Sequence, residues 1–137
     1  MHPRRTFLAC MSLVMAAFLA LVVHATAASE GFTASYSLGA PAASGEDVQI
    51  TISLALSNNN SFNVNNASIT LHDPRAARLT YGSLNGLALP AGRATQVSGS
   101  FKVPQRLYDS WQKGSSPAMS VSFTGADGKP VQMFIEF

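Results

Sequence analysis

The chain is 137 residues long, room for one ordinary core and not for two. Apolar residues make up 47% of it and charged residues 12%, and the net charge of +2 resides in Arg4 and Arg5: the nine basic residues less these two leave seven, against seven acidic ones. A neutral remainder with scattered cations excludes a nucleic-acid binder, which needs clustered charge, and the single cysteine, Cys10, excludes disulfides and thiolate metal sites beyond the first residues.

Residues 1–27 read as a secretory signal peptide. Arg4 and Arg5 precede an apolar run from Phe7 to Val23, and Ala25-Thr26-Ala27 supplies small residues spaced for cleavage after Ala27. The run is also long enough to serve as an uncleaved anchor, the one way this chain would engage a membrane. Arg4-Arg5-Thr6-Phe7-Leu8 resembles the twin-arginine export motif, but Pro3 stands where that motif expects Ser or Thr and the run is strongly apolar, which favours ordinary Sec export. The product is expected in the periplasm, at the cell surface or outside the cell.

From residue 28 to 137 the dominant period is two. In Asp47–Ser57, Val48, Ile50, Ile52, Leu54 and Leu56 point one way and Gln49, Thr51 and Ser53 the other, the pattern of a half-buried antiparallel strand. In chain order the predicted strands are Phe32–Leu38, Asp47–Ser57, Ala67–His72, Arg78–Tyr81, Arg93–Val103, Met119–Thr124 and Val131–Phe137. Turn residues separate them, with Asp73-Pro74 closing the third and Asp127-Gly128 setting a tight hairpin between the last two. Gly99 at an inward position predicts a bulge or a close approach by a neighbouring side chain. Gln105–Lys113 breaks the period and predicts a helical turn, with Leu107 and Trp111 four apart on one face and Trp111 acting as a lid on the core.

Seven short strands without a long intervening helix predict an all-β, single antiparallel sandwich. The strand spacing, the run Val97-Ser98-Gly99-Ser100-Phe101-Lys102-Val103-Pro104 into a crossing turn, and the Asp-Gly hairpin resemble immunoglobulin-like and fibronectin-type-III-like domains of bacterial envelope proteins. That resemblance implies architecture only.

Catalytic equipment is sparse. His72 is the sole histidine after residue 28, and alternation sends it and Asp73 to opposite faces, the wrong geometry for a relay; His72 is expected to point outward at a strand end. Met119 and Met133 read as core residues rather than copper ligands. No enzyme, cofactor or metal is expected. Two surfaces remain. Phe134 points outward between Gln132 and Glu136 on the last strand, and an edge position there would let a partner protein add a strand. Residues 57–66 hold six asparagines in ten, and Asn60, Phe62, Asn63 and Asn65 could hydrogen-bond and stack on a glycan. The first reading is therefore a non-enzymatic exported module binding another envelope protein, with a carbohydrate-binding module as the alternative.

Overall fold

The computed structural model describes residues 30–137, so the predicted signal peptide and its cleavage site lie outside the described residues. All seven predicted strands are present, joined by one short extra strand: β1 Phe32–Leu38, β2 Ala42–Ser44, β3 Asp47–Asn58, β4 Val64–Asp73, β5 Ala76–Leu89, β6 Ala94–Pro104, β7 Ala118–Thr124 and β8 Pro130–Glu136. Among the described residues the one helix, α1, covers Gln105–Gln112.

β3 organises the sheet because its alternation is the longest and cleanest. Ile50, Ile52, Leu54 and Leu56 are each 1% exposed, and burying each of these side chains contributes about 2 kcal/mol. One edge of β3 pairs with β6 over eleven antiparallel residue pairs, and the other edge pairs with β1 and, beyond it, β2. On the far side β8, β7, β4 and β5 form an antiparallel succession, and the two groups join where β1 runs parallel to β8 for two pairs, Phe32 with Ile135 and Thr33 with Glu136. The outcome is one curled sheet, a half-barrel of mixed pairing, ordered β6-β3-β1-β8-β7-β4-β5. Its inner face forms a single core in which Phe32, Leu54, Ile69, Leu71, Phe101 and Val121 meet.

β5 is the main departure from the sequence reading. It is fourteen residues long, not the four of Arg78–Tyr81, because Gly82, Ser83, Asn85 and Gly86 stay in the strand instead of turning. Its pairing with β4 slips in register at several points, and Gly86 lies at φ +70°, a conformation that an L side chain resists. Gly99 of β6 meets the predicted close approach. A Cβ there would lie 2.3 Å from Cδ2 of Leu84, so β5 leans its side chains directly over the β6 backbone.

The hairpin between β7 and β8 is wider than a two-residue turn. The Gly125 amide donates to the Lys129 carbonyl at 2.8 Å and the Gly128 amide to the Gly125 carbonyl at 3.0 Å, and Gly128 but not Asp127 takes a positive φ. That is a three-residue loop with glycine in the left-handed position. In α1, Leu107 and Trp111 are both buried against the core, as the four-residue spacing requires.

Candidate functional site

Asn58 shapes the asparagine-rich loop. It is 1% exposed, and its Nδ2 donates to the carbonyls of Leu89 at 2.8 Å and Phe62 at 3.1 Å, while its Oδ1 accepts from both the backbone and side-chain nitrogens of Asn60. Asn60 is itself buried, and its Oδ1 receives the Gly31 amide at 3.1 Å. This corrects the expectation that Asn60 offers its amide to a glycan: a buried polar side chain must be satisfied by the protein, and this one is. Asn63 stands at the surface with its Oδ1 holding the Ala91 amide at 2.9 Å, which leaves its Nδ2 outward, and Asn65 is exposed.

The asparagine-rich loop and the β7–β8 hairpin together enclose a hollow of about 670 Å³. Phe62, Phe123, Val131 and Met133 supply apolar wall, and Asn63, Asn65, Thr124 and Asp127 supply polar groups. The rings of Phe62 and Phe123 lie 6.0 Å apart between centroids, tilted by 48°. Phe62 is 45% exposed, a large apolar surface left in water. Of the four residues predicted as a glycan surface, the fold thus brings together Phe62, Asn63 and Asn65 and withdraws Asn60. Phe123 and Asp127 are additions that the sequence reading did not select.

A second polar cluster spans β4, β7 and β8 on the outer face. Contrary to expectation, His72 is buried, at 5% exposure. Its Nδ1 lies 2.7 Å from the Ala77 carbonyl, which can only accept, so Nδ1 carries the proton; Nε2 then accepts from the hydroxyl of Ser120 at 2.7 Å. Gln132 Nε2 donates to the same hydroxyl at 3.1 Å. A serine hydroxyl on an oriented imidazole is the geometry of an activated nucleophile, but Ser120 has no exposed surface. A substrate carbonyl has no approach to it. A fluorophosphonate probe is accordingly expected to leave Ser120 unmodified in the folded protein at neutral pH, measured by intact mass. An adduct that disappears in Ser120→Ala would show the pair to be within reach of reagents.

Phe134 stacks near this cluster, its ring centroid 5.2 Å from that of His72, and remains 51% exposed. The expected edge position of its strand is corrected. β8 pairs with β7 along Pro130–Phe134 and with β1 at Ile135 and Glu136, so a partner strand cannot line its full length. Gln132 is spent on Ser120, and Glu136 is exposed beside the β1 junction.

Next to His72 at the end of β4, Asp73 is 2% exposed and collects three donors: Tyr81 Oη at 2.5 Å, Arg106 Nη2 at 2.6 Å and the Arg75 amide at 2.8 Å. The hydrogen bond from Tyr81, and then that from Arg106, hold the Asp73 carboxyl far below the usual carboxylate range. Burial, followed by the adjacent carboxylate, pushes the Tyr81 phenol up, and the bond to Asp73 raises Arg106. Pro104 brings the chain from β6 directly into α1, which delivers Arg106 to this carboxylate 33 residues away in sequence.

No protein-family model and no curated protein matches the chain. Among solved structures, the Northeast Structural Genomics Consortium target SoR45 is similar at 9% identity, over 77% of this chain and 81% of that one, with a TM-score of 0.41. A protein from Archaeoglobus fulgidus is similar at 12% identity, over 77% and 90% respectively, with a TM-score of 0.35.

Proposed function

We propose that this chain is a non-enzymatic, exported binding module that takes a carbohydrate in the hollow between the asparagine-rich loop and the β7–β8 hairpin. The observation that carries the reading is the placement of exposed Phe62 beside Asn63 and Asn65 on one open cavity. A sugar ring has an apolar C–H face and a polar edge. An aromatic ring bordered by amides matches both at once, and a rim prearranged by Asn58 spares the ordering cost of a flexible loop. Titration of immobilised or soluble glycans against the purified protein should give saturable binding that Phe62→Ala weakens by roughly tenfold, about 1.4 kcal/mol. Equal binding by Phe62→Ala would overturn the site.

Capture of another envelope protein is the second reading, favoured by the exposed ring of Phe134 on the outer face. An in-cell crosslinking pull-down with a tag in the exposed Gly45-Glu46 turn between β2 and β3 separates the two, because a single dominant crosslinked protein, lost in Phe134→Ser, would favour the protein partner. We read the architecture as immunoglobulin-like, with β6-β3-β1 as one sheet, β8-β7-β4-β5 as the other and β1 switching between them. Supporting this is the strand order together with the helical crossing between β6 and β7.

A further inference from the structure

We propose that the hollow beneath Arg75 and Arg106, at the end of β4 opposite the carbohydrate cavity, binds a single anionic group of the carboxylate or phosphate type. The hollow measures about 160 Å³, room for one such group together with water. Pro74, Leu107 and Trp111 provide apolar wall, and the polar lining consists of the two arginines with Ser110, Ser115 and Ser116.

Arg106 is prearranged for this task. Its Nη2 is tied to the buried carboxylate of Asp73 at 2.6 Å and lies 3.5 Å from the Tyr81 hydroxyl, while Nε and Nη1 bond no group among the described residues. A guanidinium carries five N–H donors in a fixed plane, so one nitrogen anchors the fork and the others stay available. Asp73 Oδ1 holds the Arg75 amide at 2.8 Å, which fixes the backbone of the second arginine beside the first. Among the described residues the one salt bridge is Arg106 with Asp73, so the Arg75 guanidinium has no carboxylate partner. Two arginines against one carboxylate leave a charge of +1 facing the hollow. Asp109, the nearest acid on α1, accepts from Gln105 at 3.0 Å and is not part of the lining.

The hydroxyl side is equally ordered. The Ser115 amide donates to the Ser110 carbonyl at 3.1 Å and the Gly114 amide to the Trp111 carbonyl at 3.2 Å, which pins the turn after α1 across the hollow. Ser110 Oγ donates to the Leu107 carbonyl at 2.7 Å, so its orientation is set as well. These bonds fix the wall but spend the Ser110 proton and the Ser115 amide, so the donors left for a planar or tetrahedral oxyanion are the two guanidinium groups and the hydroxyls of Ser115 and Ser116.

The test is a titration of the purified protein, followed by amide and arginine Nε–H resonances, with sodium phosphate in one arm and sodium acetate in the other, chloride keeping ionic strength constant. Saturable shifts at Ser115, Ser116, Arg75 and Arg106 with millimolar affinity are expected in at least one arm, and the arm that saturates distinguishes phosphoryl from carboxyl recognition. Arg75→Gln, which removes no side-chain bond of the fold, should weaken the affinity roughly tenfold and leave the rest of the spectrum in place. Linear, unsaturating shifts in both arms, or saturation unchanged in Arg75→Gln, would overturn the site. Neither outcome bears on the cavity at Phe62.

Discussion

Asn58→Ala should lower the melting temperature by about 12 °C, the largest loss expected from any single polar side chain in this domain. The substitution removes the donor from the buried bond to the Leu89 carbonyl and from the part-buried one to the Phe62 carbonyl, and it releases Asn60. An unsatisfied buried acceptor costs about 1 to 3 kcal/mol, and two of them together about 3 kcal/mol. Thermal melts followed by circular dichroism measure the change. Asn58→Asp serves as the informative partner variant, since it keeps the acceptor for Asn60 and loses both donors. Comparable losses in the two variants would place the energy in the donated bonds to Leu89 and Phe62. Because the same bonds set the rim of the 670 Å³ hollow, ligand affinity should fall together with stability.

Acid should expose the second large effect. Asp73 is ionised in the folded state far below the range of an unfolded carboxylate, whose pKa is about 3.9. A depressed folded pKa means that the unfolded chain binds more protons than the folded one throughout the interval between the two values. Stability from this group is therefore fully present above about pH 4 and is lost as pH falls toward the folded pKa. Asp73→Asn should be less stable than the parent at neutral pH, since Arg106 and Tyr81 lose the charge they converge on, and the deficit should shrink progressively as the medium is acidified. Denaturant melts at neutral pH and at several points below pH 4 measure the convergence. A deficit that stays constant across that range would show that the Asp73 charge contributes nothing and that only the shape of the side chain matters.

Much of the fold was legible because its strands alternate without interruption. Val48, Ile50, Ile52, Leu54 and Leu56 could be assigned to one face from residue type alone, and each of these five is buried. β5 was not legible. Gly82, Ser83, Asn85 and Gly86 carry turn chemistry, and the pairing of Ser83, Leu84 and Leu87 with β4 carries the strand across them with register slips, which is tertiary packing overriding local preference. The site residues divide in a similar way. Phe62, Asn63 and Asn65 were identifiable as an exposed polar and aromatic stretch, yet nothing in the composition of the loop separates Asn58 and Asn60, which are buried, from their neighbours. His72 was assigned outward by a correct alternation. Its burial comes from the opposing strands, where Ser120 and the Ala77 carbonyl supply partners 48 and five residues away. Arg106 with Asp73 is the same kind of case, since no spacing rule connects them.

The two outermost strands, β5 and β6, bear on how such a domain resists aggregation. A free edge is a template onto which a stray chain can hydrogen-bond. Here β5 offers a poor template: its register slips repeatedly and Gly86 breaks its extended path. β6 is regular, but it is overhung by Leu84 at Gly99 and carries Lys102 outward. The bulges that disguised β5 in the sequence thus act against fibril growth, and straightening it, for instance by removing the kink at Gly86, would trade colloidal solubility for a tidier strand.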